Sequence, residues 1–322
     1  MTSAAVSQAE QLAKAETPFQ QVWRAFRKDR LAMAGLYVLV ALIALALLGK
    51  LLTEWWVLFD PATVRLPDKL RPPFSAASPE LLAGEAPPWG MYPFGTDELG
   101  RNVFARMLQG SFVSLSVGIV AVSISLVIGI GLGGVAGFYG QRKWGPFSVD
   151  GLIMRFTDVV LCFPTFFLIL TVVALLPPSI YNIMIVIGMT SWMGTARFVR
   201  AEFLSLRERD FVTAAHALGL PEWRIIFRHM VPNAMAPVLV SASIDVAYAI
   251  LTESALSFLG FGVRPPFATW GNILADGRVY IFDAPWLFAI PGTAILIVVL
   301  AFNLVGEGLR DAMNPRLRKR AS

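Results

Sequence analysis

Two histidines, one cysteine and 22 acidic residues are the reactive side chains of this 322-residue chain, few enough to follow singly. Both imidazoles, His216 and His229, fall in one stretch, FVTAAHALGLPEWRIIFRHMVPN at 211–233, beside Arg224 and Arg228. They form no HExxH zinc site, and the chain contains no GxSxG nucleophile turn and no GxxxxGK[ST] phosphate loop. Cys162 stands alone in an apolar run, so neither a disulfide framework nor a CxxC metal site exists. No catalytic, metal or cofactor-binding residue is therefore expected. The Asp97–Glu98 pair, preceded by Thr96, reads as the solvated first turn of a short helix rather than as metal ligands.

Three other acids carry more information because they lie in or beside apolar runs, where a charge at mid-helix costs about 2.5–3.5 kcal/mol on insertion scales. Asp158 stands three residues after Arg155, a spacing at which the two can pair on one helix face. Asp245 and Glu253, eight apart, share one side of a helix and either line a polar route or bond to neighbouring helices.

The elements that position these residues are membrane helices. The chain is 56% hydrophobic and only 15% charged, against about 25% charged in soluble domains. Spanning the hydrocarbon takes about 20 apolar residues in a helix. Uncharged runs predict an all-α polytopic protein with six spans, at about 31–51, 112–138, 153–176, 180–200, 233–258 and 285–308. Pro177–Pro178 divides the third from the fourth. The run Leu31–Gly49 exceeds a signal-peptide core of about 7–15 residues and reads as an uncleaved first span. Lys and Arg concentrate in the N-terminal tail, at Arg142 and Lys143, from Arg197 to Arg228 and in the C-terminal tail, so both ends and 211–233 face the cytoplasm. The same distribution accounts for the net charge of +5 without a nucleic-acid partner.

The organisation that follows is a cytoplasmic tail at 1–30, a first span at 31–51 and an external loop with an interfacial helix at 52–110. A five-helix core at 111–310 and a cytoplasmic tail at 311–322 complete it. The proline- and tryptophan-rich part of the loop, 52–95, carries little regular structure. Gly129, Gly133 and Gly137 fall four apart and make a smooth face for a neighbouring helix rather than a dinucleotide loop. Between spans four and five, residues 205–219 read as one helix closed by a left-handed Gly219. Pro221 opens the next helix, with Trp223, Ile226, Phe227 and Met230 on an apolar face and Arg224 and Arg228 on another. Pro232–Asn233 then restarts the membrane path.

The pattern Thr213-Ala214-Ala215-x3-Gly219-x9-His229-x-Val231-Pro232 resembles the EAA loop of bacterial ABC-importer permeases, with Thr213 in place of the Glu. GTDELGRNVFARMLQGSFVSLSVG (95–118), ESALSFLGFGVRPPFATWGNIL (253–274) and AFNLVGEGLRDAMNPRLR (301–318) resemble further signatures of the dipeptide/oligopeptide/nickel branch. The long loop after span one points to its C-type subunit. The resemblance implies a multi-pass protein of the bacterial inner membrane. It would pair with a second homologous permease, two ATPase subunits that bind the ATP and Mg, and an extracytoplasmic solute-binding protein. Carried over residue by residue, the loop at 201–232 offers Arg209, Asp210, Ala214, Ala215, Gly219, Glu222 and Pro232 for ATPase coupling. Arg155, Asp158, Asp245 and Glu253 are pathway or structural residues. Peptides, nickel chelates, glutathione and haem-like solutes all fit the branch. The competing reading from the same acids is an ion-coupled secondary carrier, which leaves the helix–Gly–Pro–helix unit unexplained.

Overall fold

A computed structural model of the chain describes residues 18–81, 86–140, 142–144 and 147–313. The tail residues 1–17 and the basic run after Met313 lie outside it. The first helices are α1 (Pro18–Lys28) and α2 (Arg30–Trp55), separated by Asp29, whose carboxylate caps α2 by accepting from the Leu31 and Ala32 amides. Then come α3 (Val103–Tyr139), α4 (Val149–Leu161), α5 (Thr165–Leu175), α6 (Ile180–Arg207) and α7 (Asp210–Ala217). The last three are α8 (Glu222–Phe258), α9 (Trp270–Gly277) and α10 (Trp286–Met313). Two-residue strands β1 (Ser75–Ala76) and β2 (Met91–Tyr92) pair antiparallel in the first long loop, and β3 (Lys143–Trp144) and β4 (Phe147–Ser148) pair between α3 and α4.

Among the described residues, four helices are long and apolar enough to cross a bilayer: α2, α3, α8 and α10. The α4–α5 pair makes a fifth crossing only if its 79° bend is one broken span. This differs from the single straight third span expected at 153–176. Pro164 supplies the reason: it has no N–H and biases Phe163 away from the helical region, so the helix stops at Leu161 and restarts at Thr165. Helix α6 has the length at 28 residues, but Asn182, Thr190, Ser191, Thr195 and Arg197 dilute its apolar run.

Helix α3 is the central element, in contact with α2, α6, α8 and α9. Its glycine face sits against α6 as expected. A Cβ on Gly133 would stand 2.3 Å from the Ala196 carbonyl oxygen, and one on Gly137 would stand 2.5 Å from the Phe203 Cβ. Only glycine lets the two backbones run this close.

The loop 52–102 is more ordered than its composition suggested. Asp68, fully buried, accepts from the Tyr92 hydroxyl at 2.6 Å and from the Ser78 amide, and the Thr96 hydroxyl donates to the Asp68 carbonyl. Burial and that bond to Asp68 push the Tyr92 phenol up from its ordinary value. Thr96 therefore does not cap a helix: Asn102 caps α3, its side chain accepting from the Phe104 amide at 3.0 Å. Asp97, expected to be solvated, is fully buried. It accepts from Arg101 Nε at 2.7 Å and Arg106 Nη1 at 2.6 Å, and Arg106 reaches on to Asp276 of α9 at 3.0 Å. A buried carboxylate must be paired, and two arginines four and nine residues downstream supply the charge.

Candidate functional site

At the opposite end of α3 from this cluster, the chain leaves α6 at Arg207 and builds a projecting unit. The single helix expected over 205–219 is broken at Glu208–Arg209. Arg209 is extended, and a new helix, α7, starts with Asp210 in its first turn, where a carboxylate suits the exposed amides. Helix α7 closes as anticipated. Gly219 has φ +69°, its amide donates to the His216 carbonyl at 2.9 Å, and the Leu220 amide donates to Ala215 at 3.2 Å. Those two bonds form a Schellman cap. A Cβ at Gly219 would meet no atom within 4 Å, so the glycine is demanded by backbone conformation and the turn stands clear of the rest of the chain.

The following segment departs from expectation. Pro221 is the cap rather than the first helical residue, and Glu222 starts a helix that runs unbroken to Phe258. Pro232 does not restart the path; it lies in the first turn of the α-helical part, immediately after a π-helical stretch, Ile225–Met230. The wider i to i+5 turn changes which residues face inward. Ile225 and Met230, five apart, are fully buried with Phe203, Leu206, Val212 and Ala215. Trp223 and Phe227, which an ordinary helix would place on the buried seam with Met230, are instead exposed beside Arg224 and Arg228. With Leu220 and Pro232 they line one open groove.

Among the residues picked for ATPase coupling, Arg209, Asp210, Ala214, Gly219 and Pro232 are exposed. Ala215 is not: it packs inward and supports the unit. The Glu222 carboxylate is engaged within the chain, accepting from Arg142 Nη2 at 2.7 Å. The His216 ring stacks on Phe138 at 6.0 Å.

The polar residues of the helices are placed as follows. Asp158 pairs with Arg197 of α6, not with Arg155, which lies over the Phe147 ring at 5.9 Å. A neighbouring helix offers Asp158 a guanidinium head-on, whereas the (i, i+3) alternative lies along its own helix. Glu253 is fully buried; Ser257 donates to it at 2.7 Å and Ser114 of α3 lies 3.4 Å away. The Ser114 hydroxyl also accepts from the Trp270 amide at 3.3 Å, so this group joins α3, α8 and α9. Asp245, two turns earlier, is half-buried and not part of that group. Sequence reasoning missed Arg101, Arg106, Asp276 and the Asp150–Arg200 pair. Arginines inside and beside an otherwise apolar helix start were the available signal.

The family described as "Binding-protein-dependent transport system inner membrane component" matches residues 129–319, and "N-terminal TM domain of oligopeptide transport permease C" matches residues 17–73. The chain belongs to the binding-protein-dependent transport permeases. Within them it falls in the dipeptide/oligopeptide C-type group. It is 38% identical to the dipeptide transport system permease protein DppC of Alkalihalophilus pseudofirmus, covering 94% of this chain and 92% of that one. It is 35% identical to the oligopeptide transport system permease protein OppC of Bacillus subtilis, covering 91% and 88%. With the di/tripeptide transport system permease protein DppC of Pseudomonas aeruginosa it shares 38% identity over 95% and 94%. A solved methionine ABC transporter, MetNI, in an inward-facing conformation matches 66% of this chain and 98% of its own at 16% identity and TM-score 0.48. These relatives are named transport permeases, not enzymes, and an ion-coupled carrier finds no support among them. The permease is a multi-pass membrane protein.

Proposed function

We propose that this permease supplies half of the translocation pathway of an ATP-driven importer of short peptides in a bacterial inner membrane. The unit at 208–232 is its ATPase-coupling element. Six crossings with both termini in the cytoplasm complete the topology: α2, α3, the broken α4–α5 pair, α6, α8 and α10. The partners are a second homologous permease, two ATPase subunits that hold the ATP and Mg, and an extracytoplasmic binding protein that selects the solute. The observation that carries this reading is the exposed Schellman turn at Gly219, flanked by Arg209, Asp210 and Ala214 on one side and the Trp223–Phe227 groove on the other. The chain itself has no GxxxxGK[ST] loop, so an ATP-driven step has to come from a partner docked on such a projection. Glu253 acts as a structural bond between helices, and half-buried Asp245 is the better candidate for the pathway.

The test is affinity purification of the tagged chain in mild detergent, with wild type and Gly219→Trp compared. Wild type should bring down a second permease and P-loop ATPases. The variant should insert normally, because the position is open, yet lose ATP-driven uptake. Recovery of the chain alone, or variant uptake equal to wild type, refutes the coupling reading.

A further inference from the structure

The coupling unit is fastened to the end of α3 by a small polar group that the family resemblance does not supply. Arg142, three residues past α3, donates from Nη2 to Glu222 Oε1 at 2.7 Å, and its guanidinium carbon lies 4.9 Å from the centre of the Tyr139 ring. The Tyr139 ring, at the last residue of α3, therefore lies beside the guanidinium that holds Glu222 and lines the same cleft. Arg207, at the end of α6, donates from Nη1 to the Phe138 carbonyl at 3.4 Å, and the His216 ring of α7 lies on the Phe138 ring. These six residues line one cleft between α3, α6, α7 and α8. Glu222 is the first residue of α8, directly after the exposed turn, so whatever holds its carboxylate fixes where α8 begins.

We propose that Arg142 and Tyr139 are positioning residues. They bias Glu222 toward α3, so that a displacement of the 208–222 unit is passed to α3 together with the start of α8. This rests on the coupling reading above, but it gives the Glu222 carboxylate to the chain itself rather than to an ATPase. The remainder of α3 is suited to carry the movement across the molecule. Its glycine face leaves no slack against α6, and a Cβ at Gly118 would meet Ile250 Cγ1 of α8 at 2.7 Å. Near its far end, Arg106 grips Asp276 of α9. The strap itself is exposed, with side chains 65% and 40% accessible. An exposed pair of this kind is worth a factor of about two to five in an equilibrium. That suffices to bias a moving part and is too little to hold a fold together.

The test needs no knowledge of the solute. In the assembled transporter, hydrogen exchange is followed with and without ATP plus vanadate at 208–224 and at the outer start of α3, 103–110. In wild type, ATP should change exchange at both places. In Arg142→Glu and in Glu222→Arg, the change at 208–224 should persist while that at 103–110 shrinks about threefold. The double exchange, Arg142→Glu with Glu222→Arg, should restore it, and Tyr139→Ala, which removes the ring beside the Arg142 guanidinium, should give a smaller loss. An undiminished response at 103–110 in both single variants overturns the strap, as does a double variant no better than the singles. A wild-type assembly with no ATP response at 208–224 overturns the coupling reading and the strap with it.

Discussion

The two ends of α3 use the same residue types to opposite effect. At the end that meets the 52–102 loop, Asp97, Arg101 and Arg106 are buried, joined to the partly accessible Asp276 in a network whose three buried members cannot exchange their partners for water. At the other end, Arg142–Glu222 is an exposed pair. In the first setting an uncompensated charge is expensive, so the network fixes loop, α3 and α9 in one arrangement. In the second, water competes for every group, so the contacts can be broken and remade at little cost. On the topology proposed above, the fixed end faces outward and the exchangeable end faces the cytoplasm.

The sharpest way to break the contrast is to remove one buried partner. Arg106→Met should destabilise the folded protein by up to about 3 kcal/mol, because buried Asp97 keeps only Arg101 as a counter-charge and Asp276 loses its Arg106 contact. Thermal unfolding in detergent, followed by loss of the monodisperse chromatographic peak, reads this out. A variant as stable as wild type would mean that the network is replaceable. Arg142→Gln tests the exposed counterpart and should cost less than about 1 kcal/mol by the same assay. An effect as large as that of Arg106→Met would erase the distinction.

The smallest effect sharpens the electrostatics of the outer cluster. Burial first, then the neighbouring Asp97 and Asp276 carboxylates, hold Glu98 above its ordinary value, and its Oε2 is buried without a hydrogen-bond partner. A raised carboxyl stabilises the fold while protonated. That contribution is complete below the ordinary glutamate pKa and is lost as pH rises through the raised one. Glu98→Gln should therefore melt slightly higher than wild type at neutral pH. The gain should shrink as pH falls toward the ordinary glutamate value. A lower melting temperature at neutral pH would show that the Glu98–Arg101 contact, at 3.2 Å, outweighs the burial.

Much of the fold was legible because bilayer and backbone impose one-dimensional rules. Charge-free runs of about 20 residues mark spans. Glycines four apart mark a close helix pair. The Gly219 cap follows from the chirality of the backbone, which penalises any other residue at positive φ. The projecting unit at 208–232 stood out for the same reason: its Gly–Pro step and its charges are anomalies between apolar runs.

What could not be read was every contact that depends on a choice among partners. Asp158 had Arg155 three residues away and took Arg197, because two helices meet there. Asp97 looked like a solvated helix start until α9 brought Asp276 to Arg106. Glu222 was counted as an outward residue because nothing in its neighbourhood announces Arg142, 80 positions earlier. The π-turn at 225–230 moved Trp223 and Phe227 out and Ile225 in, a five-residue spacing that no 3.6-residue pattern contains. By itself, then, the sequence determined the helices, their order and where the chain must turn, since those follow from hydrophobic length, proline and glycine. Only the tertiary structure decided which charges are buried and which carboxylate belongs to which arginine. Those depend on distances between segments far apart in the chain, on which local spacing is silent.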